Sequence, residues 1–140
     1  MNITFKPADN SDIKTIYLLC KSLIDEKYQL WYGFKLSQKQ ISNSVNEYTS
    51  IYLNNHKCGY YHFFRNEDGK LEIDDLYIFP AYQNRGTGTY VIKSLLNSVN
   101  EPVMLYVFSK NEKAVSLYKR LGFRIIRNIK VSRYIMEKAI

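Results

Sequence analysis

The run Leu71-Glu-Ile-Asp-Asp-Leu-Tyr-Ile-Phe-Pro80-Ala-Tyr-Gln83-Asn-Arg-Gly86-Thr-Gly88 joins two structural periods. Its first half is rich in β-branched and aromatic residues and reads as a strand over 70–79, stopped by Pro80. Its second half is a glycine-punctuated turn that opens a helix over 87–99, with Tyr90, Val91, Leu95, Leu96 and Val99 on the buried face. Such a turn fans backbone N–H groups at the positive end of a helix, which is a ready site for an anion and best suited to phosphate. Gly86 and Gly88 let the backbone approach a pyrophosphate with no Cβ in the way, and Arg85 adds a fixed charge. Taken alone, the same residues could do no more than start a helix. The spacing matches neither the GxxxxGK[ST] of a nucleotide-binding P-loop nor the GxGxxG of a dinucleotide fold.

Upstream, residues 3–6 read as a strand ended by Pro7, and Asp9 or Ser11 can cap a helix with Asp12 in its first turn. Ile13, Ile16, Tyr17, Leu19, Cys20, Leu23 and Ile24 form one apolar stripe through about residue 26. An aromatic stretch follows, and a more polar second helix is predicted over 37–48 from Ile41, Val45 and Tyr48. From residue 50 the period is two: strands over 50–53 and 58–64 flank the turn Asn54-Asn55-His56-Lys57, and Glu67-Asp68-Gly69 supplies the next turn. Downstream, Pro102 introduces a strand over 103–108. Asn111 caps a helix that buries Ala114, Val115, Leu117, Tyr118 and Leu121, and Gly122 closes it in a left-handed conformation. Strands over 123–129 and 132–137 end the chain. The order βααβββαβαββ is that of an α/β (α+β) domain on a mixed, mostly antiparallel sheet, expected to be a single domain over 1–140.

Composition narrows the function. Hydrophobic residues make up 46% of the 140 and charged residues 24%, a globular balance. No apolar run approaches membrane-spanning length, and the first residues lack the features of a signal or transit peptide, so a cytoplasmic protein is expected. Cys20 and Cys58 cannot form a disulfide framework and read as free thiols. The net charge of +7 suits nucleic acid, an acidic lipid surface or a phosphorylated cofactor equally. No nucleic-acid motif accompanies it, so neither nucleic acid nor membrane is an expected partner.

Twenty-three residues after Gly88 stands Asn111, followed by Ala114, Leu117-Tyr118 and Gly122-Phe123. Together, Q-x-x-G-x-G and N-x-x-A-x-x-L-Y-x-x-x-G-F resemble the GNAT superfamily of acyl-CoA-dependent N-acetyltransferases, and the order of elements matches that fold along nearly the whole chain. The resemblance implies helices on both faces of the sheet, acetyl-CoA as co-substrate and no metal. It implies that the backbone around Leu76, Tyr77 and Ile78, in a bulged strand, pairs with pantetheine amides. Gln83, Asn84, Arg85, Gly86, Thr87, Gly88 and Thr89 would hold the pyrophosphate, Asn111 would reach the pantetheine arm, and Tyr118 would protonate the departing thiolate. A phenol of pKa near ~10 can do so within hydrogen-bond reach; without the flanking motif, Tyr118 would read as core.

A protonated amine must lose its proton before attack, and Glu72, eleven residues before Gln83, matches the glutamate base of histone-type members. Alternation places Asp74 on the same face and Asp75 on the other. Such carboxylates could act as base, bind a cationic amine or be solvated strand-edge charge. Ribosomal-protein N-terminal acetyltransferases carry a glutamate where Tyr106 stands here, which disfavours a peptide N-terminus as substrate. Tyr28, Trp31, Tyr32 and Phe34, preceded by Asp25 and Glu26, could hold a small cationic amine or pack as satellite core. His56, Cys58 and His62 share a face if strand alternation holds, but ligands along one strand do not converge on a tetrahedral ion. Lys110, Lys113, Lys119 and Arg120 form a basic helix face, either solvated or turned to the cofactor's 3′-phosphate. The expected protein is an N-acetyltransferase acting on an amine, as monomer or homodimer; the alternative is a non-catalytic acyl-CoA-binding module.

Overall fold

The computed structural model describes residues 2–23, 43, 45–129 and 133–140, with Cys20, Ser22, Leu23 and Asp75 described by their backbone alone. Among the described residues seven strands, β1 (Ile3–Pro7), β2 (Tyr48–Leu53), β3 (His56–Arg65), β4 (Leu71–Ile78), β5 (Val103–Phe108), β6 (Arg124–Ile129) and β7 (Arg133–Lys138), form one sheet in the order β1-β2-β3-β4-β5-β7-β6. The described helices are α1 (Ile13–Leu23), α2 (Thr87–Asn97) and α3 (Glu112–Arg120). The sheet is mixed: β4 and β5 pair in parallel, whereas β1–β2, β2–β3, β5–β7 and β6–β7 are antiparallel. A parallel pair needs a crossover, and α2 supplies it. Contacts group the chain into two compact units, Met1–His62 with Tyr77–Ala81 and Phe63–Leu76 with Tyr82–Ile140.

In the first unit Asp9 begins the helical segment. Its carboxylate accepts from Ser11 N at 2.8 Å, and Asp12 Oδ2 accepts from Asp9 N at 3.0 Å, a reciprocal capping box. Ile16 on α1 packs with Ala8, Val45, Tyr48 and Tyr60 into one core cluster, joined by Tyr77 and Phe79. The helix predicted over 37–48 falls largely outside the described residues. At its end the structure differs, because Val45–Glu47 form a 3-10 turn and Tyr48 already opens β2. The Tyr48 carbonyl there accepts from Ala8 N at 3.0 Å, and a helix would withdraw it.

The β2–β3 turn is tighter than the sequence suggests: Asn54 and Asn55 alone make it, at φ 50° and 69°, and His56 and Lys57 belong to β3. Ile51 pairs with Gly59 and Tyr52 with Lys57, so Cys58 is the extra residue of a bulge. The expected alternation is thereby broken, and His56 is exposed while Cys58 and His62 are buried. Gly59 is fixed by space, since a Cβ there would lie 2.0 Å from the Tyr77 carbonyl oxygen.

In the second unit Ile73, Leu105 and Met136 are registered neighbours on β4, β5 and β7 and form a fully buried row. Val91, Ile92 and Leu95 are the buried apolar residues on α2. Tyr90, predicted to be buried, is 44% exposed, and the helix ends at Asn97, before Val99. Asn111 caps α3, and Gly122 takes φ 95°, both as the sequence predicts.

Candidate functional site

The run from β4 into α2 builds the first part of the site. After the 3-10 turn Pro80–Tyr82, Asn84 and Gly86 both take left-handed conformations, at φ 62° and 78°. Gly86 is the N-cap of α2, and no side chain caps the helix. The first helical bond runs from Tyr90 N to Gly86 O at 3.0 Å. By helix geometry the N–H groups of Thr87, Gly88 and Thr89 have no acceptor inside the helix. The space a Cβ on Gly86 would occupy is open to 4 Å. Thr87 is 2% exposed, and its Oγ1 is, among the described residues, the one buried side-chain oxygen or nitrogen without a hydrogen-bond partner. Leaving a buried hydroxyl unsatisfied costs on the order of 1–3 kcal/mol. A phosphate oxygen at this helix end would satisfy both the hydroxyl and the backbone donors, so the residues fit the pyrophosphate of a CoA cofactor. Arg85 lies with its guanidinium 5.7 Å from the centre of the Tyr82 ring, beside the same turn.

On α3, Asn111 Oδ1 accepts from Ala114 N at 3.4 Å, which commits the carbonyl half of its amide to the helix. The other half, Nδ2, carries its donors. Tyr118 follows two helical turns later, on the same side of α3. Its half-buried ring meets Phe123 edge-on at 5.5 Å, and its carbonyl accepts from Phe123 N at 3.0 Å. That reversal needs a glycine: Gly122 is left-handed, and a Cβ there would lie 2.8 Å from Lys138 Cε.

The β4 carboxylates differ in surroundings. Glu72 is only 8% exposed and accepts from Asn66 Nδ2 at 3.1 Å, so it is not solvated strand-edge charge. Asn66 in turn holds the β3–β4 turn, its Oδ1 accepting from Asp68 N and Lys70 N, both at 3.0 Å. Asp74 is exposed and Leu76 half-buried. Glu72, Asp74, Leu76, Gln83–Thr89, Asn111 and Tyr118 thus fall in one unit, while Tyr77 and Ile78 belong to the other. Tyr28, Trp31, Tyr32 and Phe34, with Asp25 and Glu26, lie outside the described residues, and of Asp75 only the backbone is described.

Two clusters in the first unit escaped the sequence reading. Asp12 Oδ1 accepts from Lys57 Nζ at 2.6 Å and from the Tyr60 hydroxyl at 2.7 Å. Burial pulls the Asp12 pKa up, but the bonds from Lys57, the Asp9 backbone and Tyr60 outweigh it and leave the group below its ordinary value. Burial and the bond to Asp12 push Tyr60 up to about 12. Nearby, His62 stacks on Tyr48 at 4.5 Å, and its Nε2 lies 2.6 Å from Glu47 Oε2. Only the Asp9–Asp12 spacing is legible in the sequence; the partners of Asp12 come from β3. Burial raises the Cys58 thiol pKa, which makes it a poor nucleophile. Among the described residues no three His, Cys, Asp or Glu side chains group to hold a metal ion, and no helix is long and apolar enough to cross a membrane.

The sequence profile of the acetyltransferase (GNAT) family matches residues 11–123. The chain belongs to that family. It is 37% identical over 68 residues to the thialysine N-epsilon-acetyltransferase of Mus musculus, a segment covering 45% of this chain and 40% of that protein. It is 31% identical over 64 residues to the spermine/spermidine N(1)-acetyltransferase of Bacillus subtilis, covering 42% of each. The matches thus span less than half the length of these relatives. The fold is shared with the PaiA N-acetyltransferase of Thermoplasma acidophilum, solved with coenzyme A, at a TM-score of 0.66 and 18% identity over 100% of both chains.

Proposed function

We propose that this protein transfers an acetyl group from acetyl-CoA to a primary amine by direct attack, without a covalent enzyme intermediate. The observation that carries this reading is the start of α2, where a left-handed Gly86, an uncapped helix end and the partnerless Thr87 hydroxyl form a cradle for phosphate. Acetyl-CoA supplies an acyl group activated as a thioester. Gln83–Thr89 hold its pyrophosphate, the backbone of Leu76, Tyr77 and Ile78 lines its pantetheine arm, and Asn111 Nδ2 donates to that arm. Glu72, oriented by Asn66, or the exposed Asp74 takes the proton from the ammonium form of the acceptor, directly or through water. Tyr118, steadied by Phe123, gives its proton to the sulfur of the departing thiolate. The relatives named above act on amines by their names, which supports an amine acceptor here.

The cradle is tested by Thr87→Val, a change of nearly constant volume. Removing a partnerless buried hydroxyl should leave the melting temperature of the ligand-free protein unchanged or raise it. The same change should weaken acetyl-CoA binding about tenfold, the worth of one charge-assisted hydrogen bond. Unchanged affinity for acetyl-CoA would remove Thr87 from the site.

A further inference from the structure

One face of the second unit carries charge that the roles above leave partly unused, and strand register defines it. Glu72 on β4 pairs with Met104 on β5, and Met104, Tyr106 and Phe108 pair with Glu137, Ile135 and Arg133 on β7. Directly paired residues share a face, so Glu72, Tyr106 and Arg133 lie on one side of the sheet, and Asp74 joins them by alternation from Glu72. On β6, Arg127 pairs with Ile135 and belongs to the same side. The opposite side holds Ile73, Leu105, Val107 and Met136, all buried. Tyr106 is 40% exposed, and the Arg133 guanidinium lies 5.4 Å from the centre of its ring. Among the described residues Arg133 makes no salt bridge. A guanidinium carries its N–H donors in a planar fork that grips a carboxylate with two hydrogen bonds.

The face therefore carries carboxylates on β4, arginines on β6 and, on β7, Arg133 at one end and Glu137 at the other. Ile73 pairs with Leu105, so Asp74 stands level with Tyr106 and Ile135, and Arg133 lies two strand spacings across and two residues along the sheet, roughly 12 Å away between Cα atoms. We propose, on the basis of the transferase reading above, that the acceptor is an amine that also carries a carboxylate. The ω-amino group of a basic amino acid fits this description. Arg133, beside Tyr106, holds the carboxylate, and the amine reaches toward Asp74, with Glu72 two residues further along β4. A span of that size suits an amine at the far end of a side chain and excludes an α-amine, which sits beside its own carboxylate. A polycation without a carboxylate meets Arg133 and Arg127 as like charges.

The test compares lysine with cadaverine and ornithine with putrescine, pairs that differ only in the carboxylate. The amino acid of each pair should show a kcat/KM higher by roughly tenfold to a hundredfold, as one charged hydrogen-bond pair allows. Arg133→Gln should bring that ratio close to one, Arg133→Lys should restore part of it, and Tyr106→Leu should raise KM for the amino acid more than it lowers kcat. A wild-type protein that acetylates the diamines as well as the amino acids would overturn the proposal, as would an Arg133→Gln variant that loses both equally. So would a protein that binds acetyl-CoA yet acetylates neither. The shift in melting temperature with acetyl-CoA, read on the same samples, separates the two levels. No shift sinks the transferase reading itself, whereas a shift with diamine acetylation but no carboxylate preference sinks only the acceptor assignment.

Discussion

Tyr118 lies two turns along α3 from the Asn111 cap, and its ring is set by edge-on contact with Phe123 rather than sealed in the core. In the proposed mechanism this phenol gives its proton to the departing sulfur. Tyr118→Phe keeps the ring and its packing and removes the hydroxyl that carries the proton. The variant should lose about a hundredfold or more in kcat, the usual worth of a general acid, with its affinity for acetyl-CoA essentially unchanged. Steady-state kinetics beside direct binding makes the distinction, and equal losses in both would reduce Tyr118 to a packing residue. Glu72 offers a contrast at the same scale. The sequence left it open between base, amine ligand and strand-edge charge; burial under Asn66 removes the last of these.

The element that joins α1 to the β2–β3 hairpin is a charge cluster. Asp12 gains its low pKa only in the folded state, so its bonds to Lys57 and Tyr60 stabilise the protein above the unfolded aspartate pKa of about 3.9. That contribution fades as the pH falls through the lower folded value. Asp12→Asn should melt below the wild type at pH 7, and the gap should close as both are titrated below about pH 4. A gap that stays constant down to pH 2.5 would show that charge is not what Asp12 contributes. Elements whose signals are local were legible in the chain: β5 over 103–108, the Asn111 cap, and the glycine turns at 86 and 122 stand where the residues put them. Features that depend on a partner strand were not. The bulge at Cys58 exists only against β2, and Lys57 finds Asp12 across 45 positions of sequence. Arg133 reaches Tyr106 only through the β5–β7 register.

At the scale of the molecule, family membership, a shared fold and the uncapped start of α2 all support the proposed acetyl transfer. The charge of +7 is consistent with an anionic co-substrate and does not by itself point to nucleic acid. The most direct test of this chemistry is chromatographic detection of CoA released from acetyl-CoA in the presence of pooled acceptors: basic amino acids, polyamines, aminoglycosides, and peptides with free lysine or N-terminal amines. Chromatography also avoids thiol reagents, which Cys20 and Cys58 would confuse. Release of CoA with an equal amount of N-acetylated amine, from at least one pool and lost in Tyr118→Phe, is the expected result. A protein that acetyl-CoA stabilises against heat but that releases no CoA with any pool would contradict the transferase and leave a module that only binds the cofactor.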